Sequence, residues 1–396
     1  MNQTKNQSIF KQMNSKFLKS SYSFHLPEAL IAAEPLAQRD EARLMVVHRS
    51  TRAVEHRRVS DLPEYFNAGD AIVVNNTRVF RARLLGERVG TGGKVEFFLL
   101  KPLDGDSAHA CIWQGLMKTG AKISAGFQFK ILGSQVFGDL QGEVLAREET
   151  TSGALFTARF NHPPLQADVG EVPLPPYIVA KRAAKEQKVE GSVDQNFQQL
   201  ELRTYNTIFA EKDGSVAAPT AGRHFTQALI DKLKSKGISW NEITLHVGLG
   251  TFKPVMTDDI REHLMHAEPA TISEATAKII THTKQQGHRI LTVGTTTTRA
   301  LEGSVSETGQ VMPGTRDVNL FIHPGSEHLW RISSAILTNF HLPESTLLMM
   351  IASFLEQGST QPSQPGDGIA WLLELYQEAI RQQYRFYSYG DAMLIL

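Results

Sequence analysis

Four short segments carry residue types that could move protons or hold an anion. The first runs Gly-Ser-Val-Ala-Ala-Pro-Thr-Ala-Gly-Arg-His-Phe-Thr from Gly214 to Thr226, and the second His-Val-Gly-Leu-Gly-Thr-Phe-Lys-Pro from His246 to Pro254. In each, small residues let backbone amides approach a ligand, and polar groups can then orient it. His224 and His246 supply side chains that titrate near neutral pH and can carry protons. Ser215, Thr220, Gly248, Gly250 and Thr251 are the candidate contact residues around them. The third segment, Thr338-Asn339-Phe340-His341-Leu342-Pro343-Glu344-Ser345-Thr346, joins a strand pattern to a helical one. Ser345 or Thr346 is enough to cap that helix, so Asn339 and His341 exceed what a cap needs. In the fourth, Ile290-Leu291-Thr292-Val293-Gly294 leads straight into Thr295-Thr296-Thr297-Thr298-Arg299. A strand that ends in hydroxyls at a helix N-terminus offers free amides and a favourable dipole to a carboxylate or phosphate. The carboxyl ends of strands are also where open α/β sheets hold ligands.

Other features are weaker. Gly248-Leu249-Gly250 lacks the third glycine of a dinucleotide fingerprint, so alone it reads as a turn or bulge. His263 and His266 are three apart, but the H-E-x-x-H order is absent, which favours cleft lining or a capped turn over a metal site. Arg78, Arg81, Arg83 and Arg88 could line a phosphate track, although a solvated face explains such a run as well. Tyr384 to Met393 is aromatic and carries Arg385. It reads either as a base-stacking surface or as a terminal strand packed on the core.

The elements that position these residues follow from pattern and punctuation. Leu44–His48 and Ala71–Asn75 read as strands. Val79–Val89, Lys94–Lys101, His109–Lys118, Phe127–Leu132, Gly142–Arg147 and Ala154–Phe160 then form six short strands separated by Gly-rich turns, which argues for a small antiparallel barrel or sandwich. Pro173, Pro175 and Pro176 mark its end. Residues 183–203 read as loop or frayed helix. Beyond Tyr205 helices and strands alternate: a helix from Phe225, a strand Glu242–Val247, a helix Thr271–Gln286 with a Thr271/Glu274 capping box, strands Arg289–Gly294, Leu320–His323 and Ser334–Thr338, and helices Ser345–Glu356 and Ile369–Gln383. The expected fold is α/β: a layered main domain in segments 23–77 and 176–396, interrupted by an inserted antiparallel β-barrel at 78–175. Residues 1–22, rich in Asn, Gln and Ser with Lys5, Lys11, Lys16 and Lys19, read as a disordered basic tail and not as a secretory signal.

Composition narrows the function class. With 41 basic and 41 acidic residues the net charge is zero, so nothing global marks a nucleic-acid binder, although a local basic face is compatible with neutrality. The single cysteine, Cys111, rules out an intrachain disulfide framework and fits a reducing cytoplasm. No apolar run reaches the roughly 18–20 residues needed to span a bilayer.

Taken together, the motifs resemble the S-adenosylmethionine:tRNA ribosyltransferase-isomerases of queuosine biosynthesis. The resemblance runs from about Phe24 to Leu394 through ordered anchors: Arg39-Asp40 with Arg43-Leu44, Asn75 to Arg83, Thr91 to Glu96, Leu174 to Ile178, Gly214 to Thr226, Leu245 to Pro254, Met265 to Glu268, Val293 to Leu301, Leu337 to Leu348 and Tyr384 to Met393. It implies an α/β domain with an inserted barrel, in agreement with the pattern reading. It also implies transfer and isomerisation of the ribosyl part of S-adenosylmethionine onto the aminomethyl group of a 7-deazaguanine at the tRNA wobble position. The products are epoxyqueuosine, adenine and methionine. S-adenosylmethionine is then a consumed substrate, with no bound cofactor and no metal, and tRNA carrying the precursor base is the partner.

That chemistry needs a base beside the sulfonium carbon, an acid for departing adenine and an unprotonated amine. His224, His246 and His341 suit the proton steps. Thr295, Thr296, Thr297 and Thr298 would hold the methionine carboxylate, with Asn339 as a further contact. Arg78, Arg83 and Arg385 would meet the nucleic acid. The sequence departs from the family pattern at Asn76 (usually Asp), Arg81 (Pro), Phe209 (Tyr), Arg223 (Leu) and His323 (Tyr), which leaves room for a paralogue with a changed substrate. The rival readings are another S-adenosylmethionine-dependent enzyme, such as an RNA methyltransferase, and a non-catalytic RNA-binding module.

Overall fold

A computed structural model of the chain describes residues 16–133, 136, 138–150, 153–185, 195–248, 254–357 and 366–396. The expected contacts Gly250 and Thr251, and residues 1–15 of the expected tail, lie outside them.

In chain order the strands are β1 (Arg43–Val47), β2 (Val54–Arg58), β3 (Ala71–Asn75), β4 (Thr77–Val79), β5 (Arg83–Arg88), β6 (Lys94–Pro102), β7 (Ile112–Thr119), β8 (Gln128–Ile131), β9 (Leu140–Thr150), β10 (Gly153–Phe160), β11 (Lys212–Ser215), β12 (Ser239–Leu245), β13 (Glu268–Ile272), β14 (Ile290–Val293), β15 (Gly314–Val318), β16 (Ala335–Asn339) and β17 (Ala392–Ile395). Nine of them form one sheet in the order β15-β13-β12-β3-β14-β16-β17-β1-β2. Its strands β3, β14 and β16 are buried along their whole length because both faces are covered. Ile72 and Val74 of β3 face a cluster with Leu229 and Leu233 of the helix Gln227–Ser235. Ala71 and Val73 face the other side, toward Ala277 and Ile280 of the helix Glu274–Gln285. The helices Thr346–Gln357 and Asp367–Arg381 cover that same side further along, over Met45, Val47, Ile336, Met393 and Ile395.

Between β3 and β12 the chain builds a closed six-stranded antiparallel barrel, in the order β10-β7-β6-β5-β8-β9. This is the expected barrel, and its interior is filled. Phe97, Phe129 and Phe160 pack with ring centroids 5.5–5.8 Å apart. Gly142, opposite Phe129 in the β8/β9 register, lets that ring lie flat on the backbone, where any Cβ would collide with it. The chain enters through the two-stranded parallel β4/β11 pair, and Glu171 bonds Arg83 through both backbone groups on the way out.

Several expected elements differ. Residues 16–22, assigned to the tail, are packed: Tyr22 is fully buried, its hydroxyl donates to the Lys16 carbonyl at 3.0 Å, and the Lys19 amide donates to the Asp258 carbonyl at 2.9 Å. A polar average over the segment hid one aromatic worth burying. Of the segment 183–203, residues 183–185 and 195–203 lie in the helices Pro176–Lys185 and Gln195–Tyr205, and residues 186–194 lie outside the described residues. Val79–Val89 breaks at a tight turn in which the Ala82 amide donates to the Phe80 carbonyl at 2.8 Å, because the chain changes sheets there. The helix Glu274–Gln285 is capped by Ser273, whose hydroxyl accepts from the Thr276 amide at 3.1 Å, while Thr271 sits inside β13. Leu320–His323 is unpaired, since the edge partner of β13 is Gly314–Val318. Among the described residues no helix is long and apolar enough to cross a membrane.

Candidate functional site

Strands β12, β3, β14 and β16 run parallel, so their carboxyl ends lie on one side. From β3 the connections diverge to β12 on one flank and β14 on the other, which opens a crevice between the loops that follow. A cavity of ≈ 570 Å³ occupies it. It is lined by Val247 after β12, by Gly294, Thr295 and Thr296 after β14, and by the stretch from Thr338 to Leu347 at and after β16. The segment Ala217–Ala221 forms a further wall, and Tyr177 and Tyr387 supply aromatic faces with centroids 4.8 Å apart. Lys19 reaches the same cavity.

The four threonines divide two and two. Gly294 takes φ +88° as the N-cap, which turns β14 directly into the helix Thr295–Glu302. The Thr297 hydroxyl donates to the Val293 carbonyl at 2.6 Å. That of Thr298 donates to the Gly294 carbonyl at 3.0 Å and lies 2.7 Å from Thr292 Oγ1. Both are fully buried, staple the helix to its strand and stand off the cavity. Thr295 and Thr296 do line it, and Thr296 Oγ1 is buried with no hydrogen-bond partner among the described residues. The first amides of this helix have no carbonyl of their own turn to bond. An unpartnered hydroxyl beside unpartnered amides is an arrangement that a ligand oxygen completes.

Of the three histidines only His341 lines the cavity. Its Nε2 lies 2.8 Å from Thr338 Oγ1 and its amide donates to the Tyr376 hydroxyl oxygen at 2.9 Å. Burial pushes its pKa down to about 3, so the ring is neutral at physiological pH. His224 sits behind Asn339. Asn339 Nδ2 donates to His224 Nε2 at 3.1 Å and to the Asp391 carbonyl at 3.2 Å, and its Oδ1 accepts from the Thr220 hydroxyl at 3.1 Å. The other His224 nitrogen faces the Arg39 carbonyl. Those contacts fix the tautomer with the proton on Nδ1, and His224 thereby orients Asn339, which does line the cavity. Burial, then the nearby Arg223 and Arg385, push His224 down to about 3. His246 points elsewhere, with Nδ1 2.8 Å from Thr77 Oγ1 and the ring against Gly214, and burial lowers its pKa. Ser215 is also away from the cavity: it is fully buried, donates to the Ala217 carbonyl at 2.7 Å and accepts from the Val247 amide at 3.0 Å, clamping the two loops together.

Sequence reasoning missed three groups. Glu268 accepts from the Gly248 amide at 2.9 Å and pairs with Arg299 in a buried ion pair, which ties the loop after β12 to the helix bordering the cavity. Burial pushes Arg299 down to about 10. Lys19 and the two tyrosines were present in quoted motifs, but no spacing rule marks a residue that reaches a cavity from a distant element. The candidate nucleic-acid arginines are not brought together. Arg78 pairs with Asp213 at 2.6 Å on β4/β11, Arg83 with Glu171 and Glu96 at 2.8 and 3.0 Å on the barrel, and Arg385 with Asp391 at 3.3 Å beside His224. The aromatic C-terminal run is core: Tyr384, Phe386, Tyr387 and Tyr389 are buried, and β17 lies between β16 and β1. None of the departures Asn76, Arg81, Phe209, Arg223 and His323 lines the large cavity. Among the described residues no group of three or more His, Cys, Asp or Glu side chains is placed to hold a metal ion.

A family model described as queuosine biosynthesis protein matches residues 19–395. The chain is 38% identical over 379 residues to the S-adenosylmethionine:tRNA ribosyltransferase-isomerase of Desulforamulus reducens, covering 95% of this chain and 99% of that one. It is 41% identical over 375 residues to the protein of the same name from Natranaerobius thermophilus, covering 94% and 98%. The crystal structure of S-adenosylmethionine tRNA ribosyltransferase from Thermotoga maritima is similar at 32% identity and a TM-score of 0.49, covering 95% of this chain and all of that one.

Proposed function

Because the chain belongs to the queuosine biosynthesis protein family, we propose that it transfers and isomerises the ribosyl moiety of S-adenosylmethionine onto the 7-aminomethyl-7-deazaguanine of tRNA at the wobble position, giving epoxyqueuosine and releasing adenine and methionine. The observation that carries this reading is the unpartnered Thr296 hydroxyl at a helix N-terminus, in the same ≈ 570 Å³ cavity as a neutral His341. The methionine carboxylate accepts from the amides that open the helix and from Thr296. Adenine packs against Tyr177 and Tyr387, and Thr220 and Asn339 bond the ribose. His341 is the proton acceptor. A donor Nε2 toward Thr338 leaves Nδ1 with its lone pair for the proton beside the sulfonium carbon; burial keeps the ring in the neutral form that can accept it and at the same time makes it a weaker base. His224 and Glu268 act through others, holding Asn339 and the loop after β12.

S-adenosylmethionine is a substrate in this scheme, and the amine of the tRNA base is the attacking group. The test is a product assay with purified protein, S-adenosylmethionine and tRNA bearing the aminomethyl-deazaguanine. Adenine, methionine and a modified nucleoside should appear together. S-adenosylhomocysteine in their place would make the protein a methyltransferase, and tRNA binding without products would make it a binding module.

A further inference from the structure

On the far side of Asn339 from the main cavity, His224 lines a second, small depression of ≈ 20 Å³ together with Pro35, Leu36, Arg39, Arg223, Arg385 and Tyr389 among others. No carboxylate lines it. Arg223 is only 5% exposed, yet its bonds are to neutral groups: Nε to the Thr204 carbonyl at 2.8 Å, Nη1 to the Ser388 carbonyl at 2.9 Å, and the guanidinium 4.3 Å from the centre of the Tyr389 ring. Arg39 likewise bonds two carbonyls, of Asn206 and Arg203, both at 2.9 Å. Neither has a carboxylate within ion-pair distance among the described residues, while Arg385 has Asp391 at 3.3 Å.

Arg223 is taken out of water without a counter-charge and Arg39 in part, which is unfavourable, and two cations side by side repel each other besides. Burial lowers the pKa of both, that of Arg223 to about 10. Backbone carbonyls relieve part of the cost and leave the net charge uncompensated. Arginine's planar fork suits one anion class above others, a tetrahedral oxyanion. The cavity admits roughly a single oxygen, since a water-sized group needs about 10–15 Å³, so the rest of such an anion rests at the mouth.

We propose that Arg39 and Arg223 form a phosphate site, which a backbone phosphodiester of the tRNA fills during the proposed reaction. The site rests on that reading only for the source of the phosphate. Its position matters to the main cavity, because His224, which lines the depression, bonds Asn339, which lines the cavity. Burial is the main reason His224 stays neutral, and a bound anion would offset the smaller part that Arg223 and Arg385 add.

The experiment is tRNA binding by the full-length protein as a function of salt, for the parent, Arg223→Leu and Arg223→Lys, with 31P NMR of inorganic phosphate as a second arm. Arg223→Leu should weaken tRNA binding about 10-fold and lower the salt slope by about 1, and Arg223→Lys should keep the slope. A structural role through Thr204 and Ser388 alone would make both variants bind with the parent slope. Phosphate line broadening that disappears in Arg223→Leu, with the tRNA slope unchanged, would keep the site and assign it to free phosphate. Parent slope and parent phosphate behaviour in Arg223→Leu would overturn the site. The product assay on the parent is read separately, so absence of turnover with an intact Arg223 effect would discard the reaction and keep the site.

Discussion

The barrel and the nine-stranded sheet use similar residues to opposite ends. The barrel closes on itself, fills its interior with Phe97, Phe129 and Phe160, and puts Arg83 between two carboxylates. The sheet stays open, and where its parallel strands diverge it leaves ≈ 570 Å³ lined by Thr296, Asn339 and His341. Among the described residues no buried polar side chain of the barrel is left without a partner, while at the strand ends the Thr296 hydroxyl is left without one and a histidine is held neutral. Closure favours stability and leaves little room for a ligand, whereas an open sheet must leave unfilled groups at its rim.

The largest expected effect tests whether chemistry is confined to the open sheet. His341→Ala should lower turnover roughly 10²–10⁴-fold at saturating substrates, the range of a lost general base, with the fold retained by circular dichroism. Turnover within a few-fold of the parent would remove His341 from the proton step. The matching change in the barrel is Phe129→Ala, which should cost about 3–5 kcal/mol of stability in denaturant unfolding while turnover per folded molecule holds. Loss of turnover in the folded fraction would show the two regions to be coupled.

Acid should attack the sheet selectively. His224 and His341 sit at about 3 in the folded protein and near 6.5 when unfolded. Above pH 6.5 neither state binds these protons, and their contribution to stability is complete. As pH falls below 6.5 the unfolded chain takes up two protons that the native state refuses. Stability is then lost at about 2.7 kcal/mol per pH unit, continuing toward pH 3. The urea midpoint should be flat from pH 8 to 7 and drop steeply from 6 to 5, and His341→Ala should lower the slope of stability by about 1.4 kcal/mol per pH unit. A smaller effect separates the threonines. Thr296→Val should raise the KM for S-adenosylmethionine about 10-fold, the worth of one hydrogen bond to a charged group. Thr297→Val should leave KM alone and cost about 1 kcal/mol of stability through the lost bond to the Val293 carbonyl.

The Thr295–Thr298 run shows where sequence reasoning reaches its limit. It located the strand, the turn and the helix N-terminus, because apolar runs and hydroxyl punctuation are local signals. It could not tell Thr296 from Thr297, since one residue of helical rotation, set by how the helix seats on β14, brings one threonine to the cavity lining and sends the other's hydroxyl onto a carbonyl. The barrel was legible because Gly-rich turns repeat at short intervals. The edge strand was not, since Gly-Thr-Arg-Asp-Val is a strand only through its pairing with β13. The same reason hid the roles of the histidines. His224, His246 and His341 look alike in their loops, and only long-range neighbours such as Asn339, Thr77 and Thr338 separate a residue that orients from one that faces the cavity.

Arg83→Ala carries the smallest expected effect and bears on the barrel alone. Arg83 is 39% exposed on its side chain, with Glu171 at 2.8 Å and Glu96 at 3.0 Å. Half-exposed pairs of this kind contribute roughly 0–1 kcal/mol, so unfolding should shift by no more than that. The carboxylates also decide its use toward nucleic acid. An arginine already neutralised by two of them gains little from a phosphate and would have to give up bonds to meet it. The salt slope of tRNA binding should therefore be the same for Arg83→Ala and the parent, in contrast to Arg223→Leu, whose guanidinium has no carboxylate to lose. A slope reduced by about 1 for Arg83→Ala would place the barrel face on the tRNA and make ion pairing a poor guide to which arginines are spoken for.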